Sequence, residues 1–275
     1  MAVERNLFKT GELKLDFTLE KYRQLCTVLC SSGYQVCTVV QYLSRTDRTG
    51  KTAVLRHDVD RKPGNALRMA MLEQSLGIKS TYYFRMNKSV FKRDMIKTIA
   101  GMGHEIGYHY EALDKARGNY EKAIRIFEQD LSKLRKVAEV KTICMHGNPL
   151  TKWDNRDLWS KYDFKNFGLV GEAYLSFGSI TYLSDTGRTW SSKYKVKDRL
   201  PSACNDNEVD TVIVNSTDDC INLIKRSEPN AVYLLVHPER WSDNMVDWPA
   251  YFILDTGVNL AKRIRIFRRD RVDTI

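Results

Sequence analysis

Two carboxylates and an imidazole stand together in Arg56-His57-Asp58-Val59-Asp60, directly after the apolar run Ala53, Val54, Leu55. In an extended chain the side chains alternate faces, so Asp58 and Asp60 share one side while His57 and Val59 share the other. Like charges this close need a cation between or beside them, or one carboxyl takes up a proton. Either outcome can do chemistry, as a cation site or as an acid. The other histidines repeat the placement: His109 closes EIGYH, His146 follows KTICM and His237 follows AVYLLV, while Asp185 follows ITYLS. Each lies at or just past the end of an apolar run. Only His104 precedes its run, and it reads as structural.

The elements that must position these groups alternate. FTLEKYRQLCTVLCSSGY carries Phe17, Tyr22, Leu25 and Leu29 at helical spacing and ends near Gly33, where a left-handed cap is expected. AVLRHDVD reads as a buried strand, GNALRMAMLEQSLG as a helix, STYYFRM as a strand and SVFKRDMIKTIAGMG as a helix. EIGYH, the long helix NYEKAIRIFEQDLSKLRKV and the strand KTICMHG come next, then AYLSF and ITYLSD as strands, TVIVNSTDDCINLIKRS as strand into helix, and AVYLLVHPERW as the most apolar strand. Strand and helix in alternation predict parallel pairing with right-handed crossovers, hence an α/β fold. About seven such steps, with chemistry-bearing residues at strand ends, predict an irregular (β/α) barrel whose site lies at the carboxyl ends of its strands. No repeat or linker divides the chain, so residues 1–275 are expected to form one domain, with a motif-bearing core over 53–241 and an outer helix at about 250–271.

The bulk numbers are those of a globular protein: 275 residues, 43% hydrophobic and 11% aromatic, with no apolar stretch long enough to span a bilayer. The amino terminus lacks the pattern of a secretory signal, so a cytoplasmic location is expected. Six cysteines (26, 30, 37, 144, 204 and 220) form no C-x-x-C pair, which argues against a zinc finger and for reduced packing residues. The net charge of +10 favours anionic partners such as phosphate or acidic glycan. The basic tail AKRIRIFRRDR reads as a solvated helix face, and no nucleic-acid reading motif is present. Oligomeric state is not legible.

Taken in order, HDVD, GHEIGYH, MHGNP, YLSDTGRTW and LLVHPERW resemble the polysaccharide deacetylase family, carbohydrate esterase family 4. The resemblance implies a barrel of the deacetylase type, with Asp58 as general base, Asp60 as metal ligand and His237, in Leu-x-His, as general acid. The family's second motif places two histidine ligands at i and i+4. Here His109 matches the first, but position 113 is Leu. The resemblance therefore leaves the third ligand to His146, with Glu111 the next candidate; alternatively His146 replaces the arginine that orients Asp58 in the family. Asp185 and Trp190 resemble the acid's partners in type, though not in spacing.

The same resemblance implies a divalent metal, most readily zinc, and a hydrolase that removes an N-acetyl or N-formyl group from an amino sugar or glycan precursor. Arg56, Arg85 and Arg188 are expected to hold an anionic substrate group, and Tyr110 and Trp190 to stack on a sugar. Two other readings fit the same residues: a C–N hydrolase of a non-sugar amide, and a non-catalytic carbohydrate-binding descendant of the fold.

Overall fold

The computed structural model describes residues 15–47, 49–149, 151–191, 197–200, 214–243 and 256–257. Its strands are β1 (Gln35–Cys37), β2 (Thr52–Val59), β3 (Thr81–Arg85), β4 (Glu105–Tyr110), β5 (Thr142–Met145), β6 (Gly171–Glu172), β7 (Thr181–Ser184) and β8 (Ala231–Val236). The helices are α1 (Leu19–Ser31), α2 (Val39–Ser44), α3 (Pro63–Ser75), α4 (Arg93–Gly101), α5 (Ala112–Lys115), α6 (Tyr120–Arg135) and α7 (Thr217–Arg226). All strand pairs are parallel, in the order β6-β5-β4-β3-β2-β8-β7. Seven parallel strands in this order, with β1 added in parallel beside β2 and helices flanking the sheet, form a curled half-barrel, the α/β architecture expected from the alternation of elements.

β2 is the hub. All eight of its residues are buried, with β8 along one edge and, along the other, β1 beside its first half and β3 beside its second. A strand covered on both faces reads as a continuous apolar run until it reaches the site end, which is the pattern of AVL before Arg56. On one side Ala53 and Leu55 pack with Val232, Leu234 and Val236 of β8 and with Leu25 and Leu29 of α1. On the other, Val54 joins the aromatic core of Tyr83, Tyr108, Tyr110 and Phe127. Gly107 on β4 has a steric reason: it pairs with Tyr83, and a Cβ there would lie 2.2 Å from the Tyr83 ring.

Some expectations are corrected. AYLSF is a turn following the two-residue β6, because Glu172 accepts the backbone N–H groups of Tyr174 and Leu175 and bends the chain. Cys30 is exposed rather than a packing residue, whereas Cys26, Cys37, Cys144 and Cys220 are buried, and all five are free thiols. Cys204 and the proposed C-terminal helix lie outside the described residues, apart from 256–257, which are helical. Gly33 does take positive φ after α1, at +76°. Among the described residues no helix is long and apolar enough to cross a membrane.

His57 is a structural group. Fully buried, its Nε2 lies 2.6 Å from Glu73 Oε1 of α3. Glu73 also accepts from Tyr22 of α1, from Ser80 at 2.6 Å and from Tyr82 at 2.8 Å. His104 completes the cluster, with Nε2 donating to Ala70 O at 3.1 Å. This network ties the outer face of β2 to α1 and α3. Burial alone would raise the Glu73 pKa, but His57, His104 and the Ser80 hydroxyl outweigh it and bring it down from 4.5 to about 2. A carboxyl depressed on folding stabilises above its unfolded pKa and loses that contribution as pH falls through the folded one. Replacement of Glu73 by Ala should therefore cost about 3–5 kcal/mol in urea unfolding at neutral pH. The difference between wild type and Glu73→Gln should shrink as the pH is lowered from 4.5 towards about 2; a difference that stays constant would show that the charge is not what the network holds.

Candidate active site

The carboxyl ends of β2, β3, β4, β5 and β8 surround a cleft of about 230 Å³ lined by Asp58, Asp60, Arg85, His109, His146 and His237, with Tyr174, Asp198 and Arg240 among its other walls. Parallel register explains the convergence: Asp58 pairs with Tyr83, Arg85 with His109, and His109 with Cys144, so successive strand ends step round one rim.

Asp58 is gripped by its own strand. Arg56 Nε and Nη2 donate to Asp58 Oδ1 and Oδ2 at 2.9 and 2.8 Å, a forked contact between residues two apart on the same face. The guanidinium is fully buried; it also donates to the hydroxyls of Tyr233 at 2.9 Å and Tyr174 at 2.7 Å, and lies 4.3 Å from the Tyr174 ring centroid. Burial would raise the Asp58 pKa, but Arg56 and then His109 overcome it and hold Asp58 ionised below the usual aspartate range. This corrects two expectations. Arg56 cannot hold substrate, because it is sealed in the core, and it is Arg56 rather than His146 that orients Asp58.

Asp60 Oδ1 lies 3.2 Å from His109 Nε2 and 3.4 Å from His146 Nε2. His109 Nδ1 is 3.0 Å from the Cys144 carbonyl, which can only accept, so Nδ1 carries a proton and Nε2 is the nitrogen facing the carboxylate. Burial, reinforced by Arg85 and His109 against the pull of Asp60, brings the His146 pKa down to about 4, so its imidazole is neutral near pH 7. Burial would raise the Asp60 pKa, but the two histidines outweigh it and keep Asp60 ionised. Asp60 Oδ1 is nonetheless buried without a hydrogen-bond partner, as is His146 Nδ1.

These observations test whether a divalent metal fits. One ionised oxygen and two imidazole nitrogens are the right donors for zinc, and donors at ~2.1 Å from a tetrahedral ion stand about 3.4 Å apart, close to both measured separations. The pinned Nδ1 of His109 is the outer contact that metal-binding histidines usually make. Both separations from Asp60 suit such an ion. The group whose donor atoms all fall within 4.8 Å of one another, among the described residues, is instead Asp58, His109 and Cys144. It is the poorer host, because both Asp58 oxygens already accept from Arg56 and burial raises the Cys144 thiol well above its ordinary pKa.

On the opposite wall His237 Nδ1 lies 2.6 Å from Asp185 Oδ1, and its backbone N–H donates to Asp185 Oδ2 at 2.9 Å. Asp185 is completely buried and also receives Arg240 Nη1 at 2.9 Å and Trp241 Nε1 at 2.8 Å. Burial and Arg240 oppose protonation of His237, but Asp185 more than offsets them, and the pKa is raised. The tryptophan that meets Asp185 is therefore Trp241. Trp190 is buried and donates to Thr217 Oγ1 at 3.0 Å, so it is no sugar platform.

Other expectations are revised by burial. Tyr110 is inside the aromatic core, receiving Trp159 Nε1 at 2.7 Å. Arg188 is buried, with its guanidinium 5.9 Å from the Phe17 ring centroid. Arg85 does line the cleft and pairs with Glu111 at 2.5 Å; Glu111 also meets Lys115 at 3.4 Å and stands 3.9 Å from His146 Nδ1. Leu113 is packed in the core on α5 and brings no imidazole. Sequence reasoning missed Tyr174, Tyr233, Asp198, Arg240 and Glu239. Arg240 and Trp241 were within reach, since they come just after His237 in HPERW; the tyrosines carry no local signal.

If Asp58 depends on its fork, Arg56→Met should leave an uncompensated buried charge and cost about 3–5 kcal/mol of stability. Arg56→Met combined with Asp58→Leu should recover a substantial part of it. Strictly additive losses in the double-mutant cycle would show that the two side chains are not coupled.

The chain matches no protein-family model and no curated protein. Among solved structures it is similar to the Xyl-CE4 domain of a multidomain xylanase from the hindgut metagenome of Trinervitermes trinervoides, at 15% identity and TM-score 0.40, covering 81% of this chain and 85% of that one. PdaA of Bacillus subtilis, a family 4 carbohydrate esterase, gives 15% identity and TM-score 0.41 over 87% of this chain and 83% of that one. BA3943 of Bacillus anthracis, a CE4 family pseudoenzyme, gives 13% identity and TM-score 0.38 over 76% and 61%.

Proposed function

We propose that this chain is a divergent polysaccharide deacetylase, a metal-dependent hydrolase that removes an N-acetyl or N-formyl group from an amino sugar or glycan precursor. The observation that carries the reading is an ionised aspartate, Asp58, and a histidine, His237, whose protonated form is favoured, both lining one cleft, with the donors of a divalent ion at the same rim. Asp60, His109 and His146 would hold the ion, most readily zinc. When bound, such an ion polarises an amide carbonyl and makes water more acidic.

The chain's own residues supply the proton transfers. Asp58, fixed by Arg56, accepts a proton from the attacking water, and it is ionised and ready to do so. His237, whose protonated form Asp185 favours, donates to the departing amine nitrogen. The raised pKa of His237 means that its acid form persists to higher pH, so activity should fall on the basic side as this group deprotonates. The cleft, at about 230 Å³, is smaller than the ~300–1,000 Å³ typical of pockets for drug-sized ligands. It suits a single scissile unit. Arg85 at its edge favours an anionic group on the substrate.

A second reading, a carbohydrate-binding descendant without catalysis, is favoured by Leu113, which removes one imidazole from the family's ligand pattern. An assay over N-acetylated and N-formylated amino sugars, free and nucleotide-linked, together with non-sugar amides, separates the readings. Asp58→Asn and His237→Ala should each retain the wild-type metal content yet lose about 10²–10⁴-fold in turnover, while His109→Ala loses metal. Asp185→Asn should move the basic limb of the pH–rate profile to lower pH. A wild type that binds the sugars but turns over no substrate with any metal is a reader and not a hydrolase.

A further inference from the structure

Arg56 is met by two tyrosine hydroxyls as well as by Asp58, and a hydroxyl that accepts from a guanidinium must send its own proton elsewhere. Tyr233 sends it to the Ala173 carbonyl, 3.0 Å away. Tyr174, which accepts from Arg56 Nη2 at 2.7 Å, sends it to Asp198 Oδ1 at 3.0 Å. Hydrogen bonds of 2.8, 2.7 and 3.0 Å therefore run in one line from Asp58 through Arg56 and Tyr174 to Asp198. Asp198 is the member of that line that no step above uses.

Asp198 is buried and is itself held in place. The hydroxyls of Ser184 and Thr186 each lie 2.5 Å from its Oδ2, and the Tyr182 hydroxyl donates to Oδ1, the oxygen that Tyr174 also meets. Four hydroxyls converge on one carboxylate. Burial, reinforced by Asp198 against the pull of Arg56, holds the Tyr174 hydroxyl well above the ordinary phenol pKa, so it keeps a proton to give. Without Asp198 that proton loses its buried acceptor, and the hydroxyl can turn it towards Arg56, where it repels the guanidinium instead of accepting from it.

We propose that Asp198 is a positioning residue for the reaction: by accepting the Tyr174 proton it keeps that hydroxyl an acceptor for Arg56, and so fixes the fork that presents Asp58 to the cleft. The inference rests on Asp58 acting as the base in the reading above. It differs in a measurable way from a purely structural carboxylate, which would affect folding alone and would depend on Tyr182 as much as on Tyr174.

Steady-state kinetics on the N-acylated amino sugars and non-sugar amides of the panel above, normalised to folded protein by circular dichroism, test it in Asp198→Ala, Asp198→Asn, Tyr174→Phe, Tyr182→Phe and the double variant Asp198→Ala with Tyr174→Phe. Asp198→Ala and Tyr174→Phe should each lower kcat about ten- to a hundredfold, with KM and metal content close to wild type. Asp198→Asn, which keeps an oxygen for the Tyr174 proton, should restore most of the loss, and Tyr182→Phe should leave kcat near the wild-type value. In the Tyr174→Phe background, Asp198→Ala should lower kcat no further, because both act through one contact. If Asp198→Ala does not fold, Asp198→Leu carries the same expectation. Wild-type kcat in a folded Asp198→Ala, Asp198→Leu or Tyr174→Phe variant, equal losses in Tyr182→Phe and Tyr174→Phe, or losses that multiply in the double variant overturn the inference alone. A wild type that hydrolyses no amide of the panel overturns it together with the hydrolase reading.

Discussion

The forked contact between Arg56 and Asp58 is buried within β2, and both the packing and the chemistry of the molecule are arranged around it. A guanidinium with no exposed surface is tolerable only if its donors and its charge are met. Asp58 meets the charge, the hydroxyls of Tyr174 and Tyr233 take further donors, and their rings flank the cation. In return the carboxylate is held in one rotamer at the cleft, ionised despite its burial. The aromatic core beneath the site thus seats Asp58, its tyrosine hydroxyls accepting from Arg56 where leucines could not.

The opposite face of β2 is built the same way. His57 and Glu73 form a second buried pair, satisfied by Tyr22, Tyr82 and Ser80, that anchors the hub strand to α1 and α3. One strand therefore presents Arg56 and Asp58 to the cleft and His57 to the packing layer, with register fixed by polar groups on both sides. A slip of one residue would bury Asp58 against the helices and expose the His57–Glu73 pair to the cleft. His237 has an equivalent support in Asp185, which is itself met by Arg240 and Trp241. Asp58 and His237 are each held by a buried partner of opposite charge, Arg56 and Asp185, which favour the ionised carboxylate and the protonated imidazole.

The parallel half-barrel was legible because alternation of apolar runs with amphipathic segments has few solutions, and because strand ends concentrate the histidines and aspartates. Asp60, His109, His146 and His237 were found by that rule and do share one rim. The failures have a common cause. Arg56, Tyr110, Arg188 and Trp190 are residue types that bind sugars and anions when exposed, and sequence does not report that long-range packing buries them. Tyr174 and Tyr233 lie 118 and 177 positions from Arg56, beyond the reach of any local motif. The burial of Glu239 has no local signal either, because the turn that carries it is held inside by Asn65, far away in the chain.

The proposed chemistry stands or falls on whether Asp60, His109 and His146 together hold a divalent ion at the mouth of this cleft. X-ray diffraction from zinc-grown crystals, recorded on both sides of the zinc absorption edge, would locate the ion. One strong anomalous peak is expected within about 2.0–2.3 Å of an Asp60 oxygen and a nitrogen of each histidine. A peak bound instead by Cys144 and Asp58, or no peak at the cleft, would rule this site out.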